Sequence, residues 1–150
     1  MVNAMTNRPS QQQGVMLLEA LIGILIFSLG VLALVAMQAI SVSTVSNSRY
    51  RAEAAFLANE IISQIWVDRG AGYANVNNYA IAGGVASSAP AQNWINKVYA
   101  TMPASNLFPP SIAVATPASG GRQVTVTIRW RAPEASDVSN HVAIAFVSDP

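Results

Sequence analysis

The sequence predicts an α+β protein in which one long N-terminal α-helix packs, through its C-terminal half, on a small antiparallel β-sheet. Three observations predict this fold class. Residues 15–40 are almost wholly apolar, residues 49–69 repeat apolar side chains at helical spacing, and residues 123–130 alternate apolar and polar side chains as a strand does. Because no proline occurs between Pro9 and Pro90, the first two segments can form one continuous helix.

The composition leaves room for one domain and an N-terminal leader or anchor. Of the 150 residues, 52% are hydrophobic and only 10% are charged, against about 25% charged in typical soluble domains. This shortage of charge indicates that much of the surface contacts lipid or other protein. Eight basic and seven acidic residues nearly balance, which argues against electrostatic binding of nucleic acid.

Metal and cofactor sites have little support in the sequence. The chain contains no cysteine, which excludes a disulfide framework and any cysteine-based metal site. The acidic residues are scattered along the chain rather than grouped with metal-ligand spacing. We therefore expect no metal and no cofactor.

The first half of the helix, residues 15–40, is long enough to cross a membrane. At about 1.5 Å per residue it spans a hydrocarbon core of roughly 30 Å. Residues 1–13 are polar and include Arg8, which favours a cytoplasmic position for this tail. The apolar run is interrupted only by small or polar side chains, namely Glu19, Gly23, Ser28, Gly30 and Gln38.

The second half of the helix, residues 41–69, is amphipathic. Its apolar stripe comprises Tyr50, Ala54, Leu57, Ile61 and Ile65, widened by Phe56, Ala58 and Ile62. Gly70 and Gly72 are suited to ending the helix, so that its predicted length is about fifty residues, or roughly 75–80 Å. The stripe must be buried against the following residues, 70–150, which form the predicted globular head.

The head begins with an irregular segment, residues 70–90, and then a short helix over residues 92–102. Trp94, Val98 and Met102 share one face of this helix, which Pro103 ends. Residues 103–121 are rich in turn formers.

Two strands complete the predicted head. In residues 123–130, Val124, Val126, Ile128 and Trp130 alternate with polar side chains. In residues 141–147 the alternating apolar side chains are Val142, Ile144 and Phe146. The intervening loop makes these two strands an antiparallel pair.

The junction of the tail and the apolar run has an unusual pattern, with Gly14 before the run and Glu19 inside it. A carboxylate at the centre of a bilayer costs about 2.5–3.5 kcal/mol on insertion scales. A secretory signal peptide has its cleavage site after the apolar region rather than before it. A simpler interpretation of Glu19 is a polar side chain near a helix end that reaches the lipid headgroups. For Gly23 and Gly30 we expect close helix packing, the simpler interpretation being that small residues are tolerated in lipid.

Residues 14–21, Gly-Val-Met-Leu-Leu-Glu-Ala-Leu, resemble the signature of type IV prepilins. Residues 26–34 with Gln38 resemble the minor pilins of the PilV type, whose helix carries a Ser-hydrophobic-Gly step followed by a Gln. The remaining similarity covers residues 54–61 and the surroundings of Trp94, Met102-Pro103 and Trp130. Two departures are Val15, where the family usually has Phe, and Ala36, where many major pilins have a kinking Pro.

The resemblance implies a type IV pilin fold and a defined processing reaction. Residues 1–14 would be a leader peptide that an integral-membrane prepilin peptidase removes by cutting between Gly14 and Val15. The same enzyme would then methylate the new amino group of Val15. Glu19 would be the assembly residue, its carboxylate paired with the N-terminal amine of Val15 from a neighbouring subunit or from its own chain.

The resemblance also implies partners and a location. The partners would be major and other minor pilins, the prepilin peptidase, and the inner-membrane assembly machinery. The chain would cross the inner membrane once with its head in the periplasm, and would become part of an extracellular pilus after assembly. Pili of this type serve adhesion and twitching motility.

Two further groups of residues offer alternative sites. Arg122, Arg129 and Arg131 flank Trp130, and a basic strand with an aromatic side chain can bind phosphates or DNA. Arginines on an exposed strand more commonly protect a sheet edge.

His141 is the single histidine. A Ser-His-acid triad would require it, with Asp137 or Asp149 as the orienting acid. No nucleophile elbow or phosphate loop lies nearby in the sequence, and we do not expect an enzyme.

Three functions from different classes remain open at this point. The first is a minor pilin that primes, modifies or supports pilus biogenesis. The second is a minor pseudopilin of a type II secretion system, which shares the leader, the Glu and the helix. The third is a bitopic membrane protein with a small periplasmic binding domain, for which the leader would stay attached.

Overall fold

The computed structural model describes residues 13–118, 120–133 and 135–148. Most of the predicted leader at residues 1–14 lies outside this range, as do Arg8 and Asp149. The elements in chain order are α1 (Gln13–Asp68), two 3-10 turns (Ala71–Tyr73 and Val76–Tyr79), β1 (Ile81–Ala82), β2 (Val85–Ala86), α2 (Ala89–Thr101), β3 (Ser111–Ala115), β4 (Arg122–Trp130) and β5 (Ser139–Val147). A long N-terminal helix followed by a small antiparallel sheet confirms the α+β class.

The chain divides into two compact units, residues 1–44 and residues 45–150, and α1 contributes to both. In the first unit every described side chain from residue 14 to residue 44 is exposed. The hydroxyl of Ser28 donates to the Ile24 carbonyl at 2.7 Å and that of Thr44 to the Ile40 carbonyl at 3.0 Å. These hydroxyls are therefore satisfied by the backbone of their own helix, as an apolar surrounding requires.

The second unit buries the predicted stripe of α1. Ala54, Leu57, Ala58, Ile61 and Ile65 are fully buried, and Tyr50 and Ile62 pack against the same core. Phe56 is an exception, because its ring is 60% exposed. The ring points away from the core and lies 5.7 Å from the ammonium of Lys97 on α2, so Phe56 does not widen the stripe.

Helix α2 has the predicted inward face but begins earlier than the sequence pattern indicated. Trp94, Val98 and Met102 are all buried, as expected. The helix starts at Ala89 because Ser88 is its N-cap, accepting from the Ala91 amide at 3.4 Å, and because Pro90 is compatible with the first turn.

The sheet has five antiparallel strands in the order β2-β1-β3-β4-β5. The predicted antiparallel pair, now β4 and β5, is confirmed, and the alternating side chains of β4 form the centre of the core. These buried side chains are Val124, Val126, Ile128 and Trp130.

The larger apolar side chains of strand β5 lie on the face of the sheet that points away from the core. Its register places His141, Ala143 and Ala145 opposite the buried residues of β4, so these lie on the inner face. Val142, Ile144 and Phe146 lie on the outer face and are 48%, 57% and 58% exposed. The alternation thus predicted a strand correctly, although its larger side chains do not join the core.

Three strands lie in segments that we predicted to be irregular. β1 and β2 have two residues each and are joined by Gly83 and Gly84, both with positive φ, as a tight hairpin turn requires. β3 pairs with β4 through five residues. Strands of two residues carry no detectable period-2 pattern, and β3 combines small alanines with a preceding Pro109-Pro110 turn signal.

Candidate processing and assembly site

The described residues of the predicted leader junction, Gly14 and Val15, are helical and belong to α1. Val15 and Glu19 are four positions apart and therefore project from the same face of the helix. Val15 is 67% exposed and Glu19 is also exposed. Together with Leu18 and Ile22 they line a shallow hollow on the helix surface. The structure thus places Val15 and Glu19 on one face of α1, and the pairing of the Glu19 carboxylate with an N-terminal amine stays a prediction.

Glu19 is electrostatically isolated in this part of the chain. It is the only Asp, Glu, Lys, Arg or His between residues 13 and 48. A carboxylate surrounded by apolar side chains requires a cationic partner or a hydrogen-bonding environment. Residues 13–48 contain no cationic side chain, so a cationic partner would have to come from elsewhere in the chain, from a new chain terminus or from another molecule.

The peptide bond between Gly14 and Val15 lies in the described part of α1, where both residues are exposed. Cleavage of this bond, which the resemblance to prepilins implies, would convert the nitrogen of Val15 from a neutral amide to an ammonium. That charge would lie four residues before Glu19.

Among the described residues, no packing contact explains a glycine at position 14. A Cβ built on Gly14 would meet no atom within 4 Å, and the same is true of Gly23 and Gly30. A need for glycine at these positions would therefore come from contact with another molecule. For Gly14, close approach of the backbone to a peptidase is such a contact.

The alternative basic site does not form a single surface. Strand β4 lies between β3 and β5, so the expectation that its arginines protect a sheet edge is wrong. Arg129 is exposed, whereas the adjacent Trp130 is buried on the opposite face. The guanidinium groups of Arg122 and Arg131 lie over the rings of Tyr73 and Phe108, at 5.8 Å and 5.0 Å. Trp130 is therefore not available to stack with a ligand beside these arginines.

His141 lies on the inner face of the sheet, opposite Ile128. Of the two acids considered as its partner, Asp137 is exposed, and Asp149 is outside the described residues. Within the described residues, no group of three or more His, Asp or Glu side chains is placed to hold a metal ion.

Contacts that fasten the head to α1 were not predictable from the sequence. The indole of Trp94 donates to the Leu57 carbonyl at 2.9 Å, and Lys97 forms an ion pair with Glu60 at 2.6 Å. The hydroxyl of Tyr79 donates to Asp68 at 2.7 Å. Burial, assisted by the hydrogen bond and the charge of Asp68, raises the pKa of Tyr79 to about 12. These partners lie 11 to 37 residues apart, and no local pattern connects them.

Comparisons of the chain with models of protein families, with curated proteins and with solved structures gave no match. The helix beginning at Gly14 is long and apolar enough to be a candidate membrane span, and none of its most apolar window is buried in the structure.

Proposed function

We propose that this chain is a minor subunit of a type IV pilus, cut after Gly14, methylated at Val15 and co-assembled through residues 15–40. One observation carries the proposal. A single carboxylate, Glu19, lies on an otherwise apolar and uncovered helix, on the same face as the residue that would become the new N-terminus. This arrangement has a physical purpose if cleavage supplies the missing positive charge.

The energetics favour assembly over the isolated membrane form. Glu19 lies four residues, or about 6 Å, inside the apolar run, so in the bilayer its carboxylate carries part of the penalty of about 2.5–3.5 kcal/mol that a charge at the centre would carry. In a bundle of apolar helices, the ammonium of Val15 from a neighbouring subunit can pair with it and reduce that penalty. The exposed apolar side chains of residues 15–40 are then covered by other helices instead of lipid.

The head supports the proposal in a more general way. It folds around the second half of α1, while every described side chain of residues 14–44 is exposed. A subunit that inserts its helix into a filament and keeps its head at the surface needs this division. Low abundance, and hence a minor role, follows from the similarity of residues 26–38 to PilV-type pilins.

The test is co-assembly of Glu19 variants. Glu19→Val should lower the amount of the protein in sheared pilus fractions by roughly tenfold or more, since 1.4 kcal/mol corresponds to a factor of ten. The amount of the variant in the membrane should stay at the wild-type level. Gln38→Val is the matched control, because it also replaces a polar side chain of the apolar run, and it should assemble like the wild type.

Two outcomes would overturn this proposal. Normal assembly of Glu19→Val would remove the role of the carboxylate. Recovery of the protein only with subunits of a type II secretion system, and never with pilins, would identify it as a pseudopilin instead.

A further inference from the structure

We infer that strand β5 is an interaction surface for a second copy of this chain, and that the two β5 strands pair antiparallel to form one continuous sheet. β5 is the last strand in the sheet order and has nine residues. In the described part of the chain, no strand pairs with its other edge. This inference concerns the head and does not depend on the proposed function.

The composition of β5 lacks the usual protection of a sheet edge. Exposed edges in soluble proteins commonly carry lysine, proline or an inward-pointing charge, or are very short. The sequence of β5, Ser-Asn-His-Val-Ala-Ile-Ala-Phe-Val, contains no Lys, Arg, Asp, Glu or Pro. The opposite edge of the same sheet is β2, which has only two residues. The two edges therefore differ, and only β5 is long enough to serve as a template for another strand.

The outward side chains of β5 are self-complementary. A two-fold axis through Ile144 would place Ile144 opposite the same residue of the second copy, and Val142 opposite Phe146. On the inner face, Ala143 would lie opposite Ala145. Every large apolar side chain of the outer face thus meets an apolar partner, and aromatic–β-branched pairs of this kind stabilise antiparallel strands. An interface in which one patch contacts its own copy is the common form in homodimers.

Charge does not oppose this pairing. The strand carries no carboxylate, ammonium or guanidinium group, so that two copies meet without the repulsion that like charges cause when they lie opposite each other. On β4, the residues that pair with the outward apolar side chains of β5 are Gln123, Thr125 and Thr127, which are half-buried and uncharged.

The exposed apolar area of β5 predicts a weak dimer. Given the exposed fractions of Val142, Ile144 and Phe146, the stripe offers roughly 300 Å² of apolar side chain per copy, since a fully buried aromatic side chain contributes about 150–250 Å². Two copies bury less than the ~1,200 Å² typical of stable interfaces. Pairing should therefore depend on concentration, and holding two copies side by side should increase it, because this raises their effective concentration.

Cysteine cross-linking of the full chain in membranes tests the pairing and its register. Because the natural chain has no cysteine, each introduced thiol is unique. Ile144→Cys should form a covalent homodimer under mild oxidation or with a short thiol cross-linker. Val142→Cys and Phe146→Cys should cross-link to each other when the two variants are co-expressed, and each much less with itself. Leu107→Cys, an exposed apolar position outside the sheet, is the matched control.

A charge-swap pair gives an independent readout. Ile144→Lys and Ile144→Glu each place two like charges at the two-fold axis when two copies of the same variant meet. Each variant alone should lower the yield of cross-linked dimer at least several-fold, as measured with Val142→Cys and Phe146→Cys reporters. Mixing the Lys and Glu variants should restore cross-linking to near the original level. Because Ile144 is exposed, the thermal unfolding of the head should stay within the wild-type range in both variants.

The inference is overturned if Ile144→Cys forms no more dimer than Leu107→Cys, or if mixing the Lys and Glu variants restores nothing. It is also overturned if Ile144→Cys cross-links mainly to a different protein, because the occupant of the edge would then not be a second copy.

Discussion

The two halves of α1 remove apolar side chains from water in different ways. Residues 15–40 are apolar on all sides, and every side chain among them is exposed. Residues 50–65 are apolar on one stripe, and that stripe is buried by the head. The pattern around a helix thus indicates how many of its sides need cover: the first half needs an apolar surrounding, whereas the second half needs only a one-sided partner, which its own chain supplies.

Truncating a leucine in each half should separate these two roles most strongly. Leu57→Ala removes a fully buried side chain and should lower the free energy of unfolding of the head by about 2–5 kcal/mol. Leu25→Ala, at a position that is 60% exposed, should change it by less than ~0.5 kcal/mol. Urea unfolding in detergent micelles, followed by tryptophan fluorescence, measures both. Equal losses in the two variants would contradict the division of α1.

High pH should lower the free energy of unfolding through the contact of Tyr79 with Asp68, at the C-terminal end of α1. Because the folded protein raises the pKa of Tyr79 from 10.0 to about 12, it favours the neutral phenol. That stabilisation is fully present below pH 10 and is lost as pH rises through 12, by on the order of 2–3 kcal/mol. We compare the free energy of unfolding of the wild type and of Tyr79→Phe between pH 9 and pH 12. The variant should lack the loss of unfolding free energy that ionisation of Tyr79 causes in the wild type. Parallel pH profiles of the two proteins would show that the Tyr79–Asp68 contact is not coupled to folding.

A smaller loss of unfolding free energy is expected from the contact between α2 and the second half of α1. Trp94→Phe removes the indole donor to the Leu57 carbonyl while keeping an aromatic ring, and should cost about 1–2 kcal/mol of unfolding free energy. Trp66→Phe is the matched control, since Trp66 is only half-buried, and should cost less than ~0.5 kcal/mol. A loss in Trp66→Phe as large as that in Trp94→Phe would argue against the importance of the Trp94 hydrogen bond.

The parts of the fold that the sequence predicted are those with a local period. The stripe of α1 repeats every three or four residues and β4 alternates strictly, so both were identified with nearly correct bounds. β1 and β2 are too short to show a period. For β5 the alternation revealed the strand but not its inner face, because the pairing with β4 places alanines, and not Val142, Ile144 and Phe146, toward the core.

The candidate site was predictable to a similar degree. The spacing of Val15 and Glu19 follows directly from sequence, and α1 places both on one face. The assignment of Arg122, Arg129 and Arg131 to a sheet edge failed, because strand order is set by long-range pairing that no local pattern records. The contacts of Arg122 with Tyr73 and Arg131 with Phe108 depend on the same long-range arrangement.

Processing at Gly14 is tested most directly by the intact mass and N-terminal residue of the mature protein, purified from cells that contain a prepilin peptidase. We expect a chain that lacks residues 1–14, begins at Val15 and carries one additional methyl group. Gly14→Leu should leave the leader attached, whereas Gly23→Ala should be processed like the wild type. A mature protein that retains Met1, or one that is cut elsewhere, would rule out processing between Gly14 and Val15.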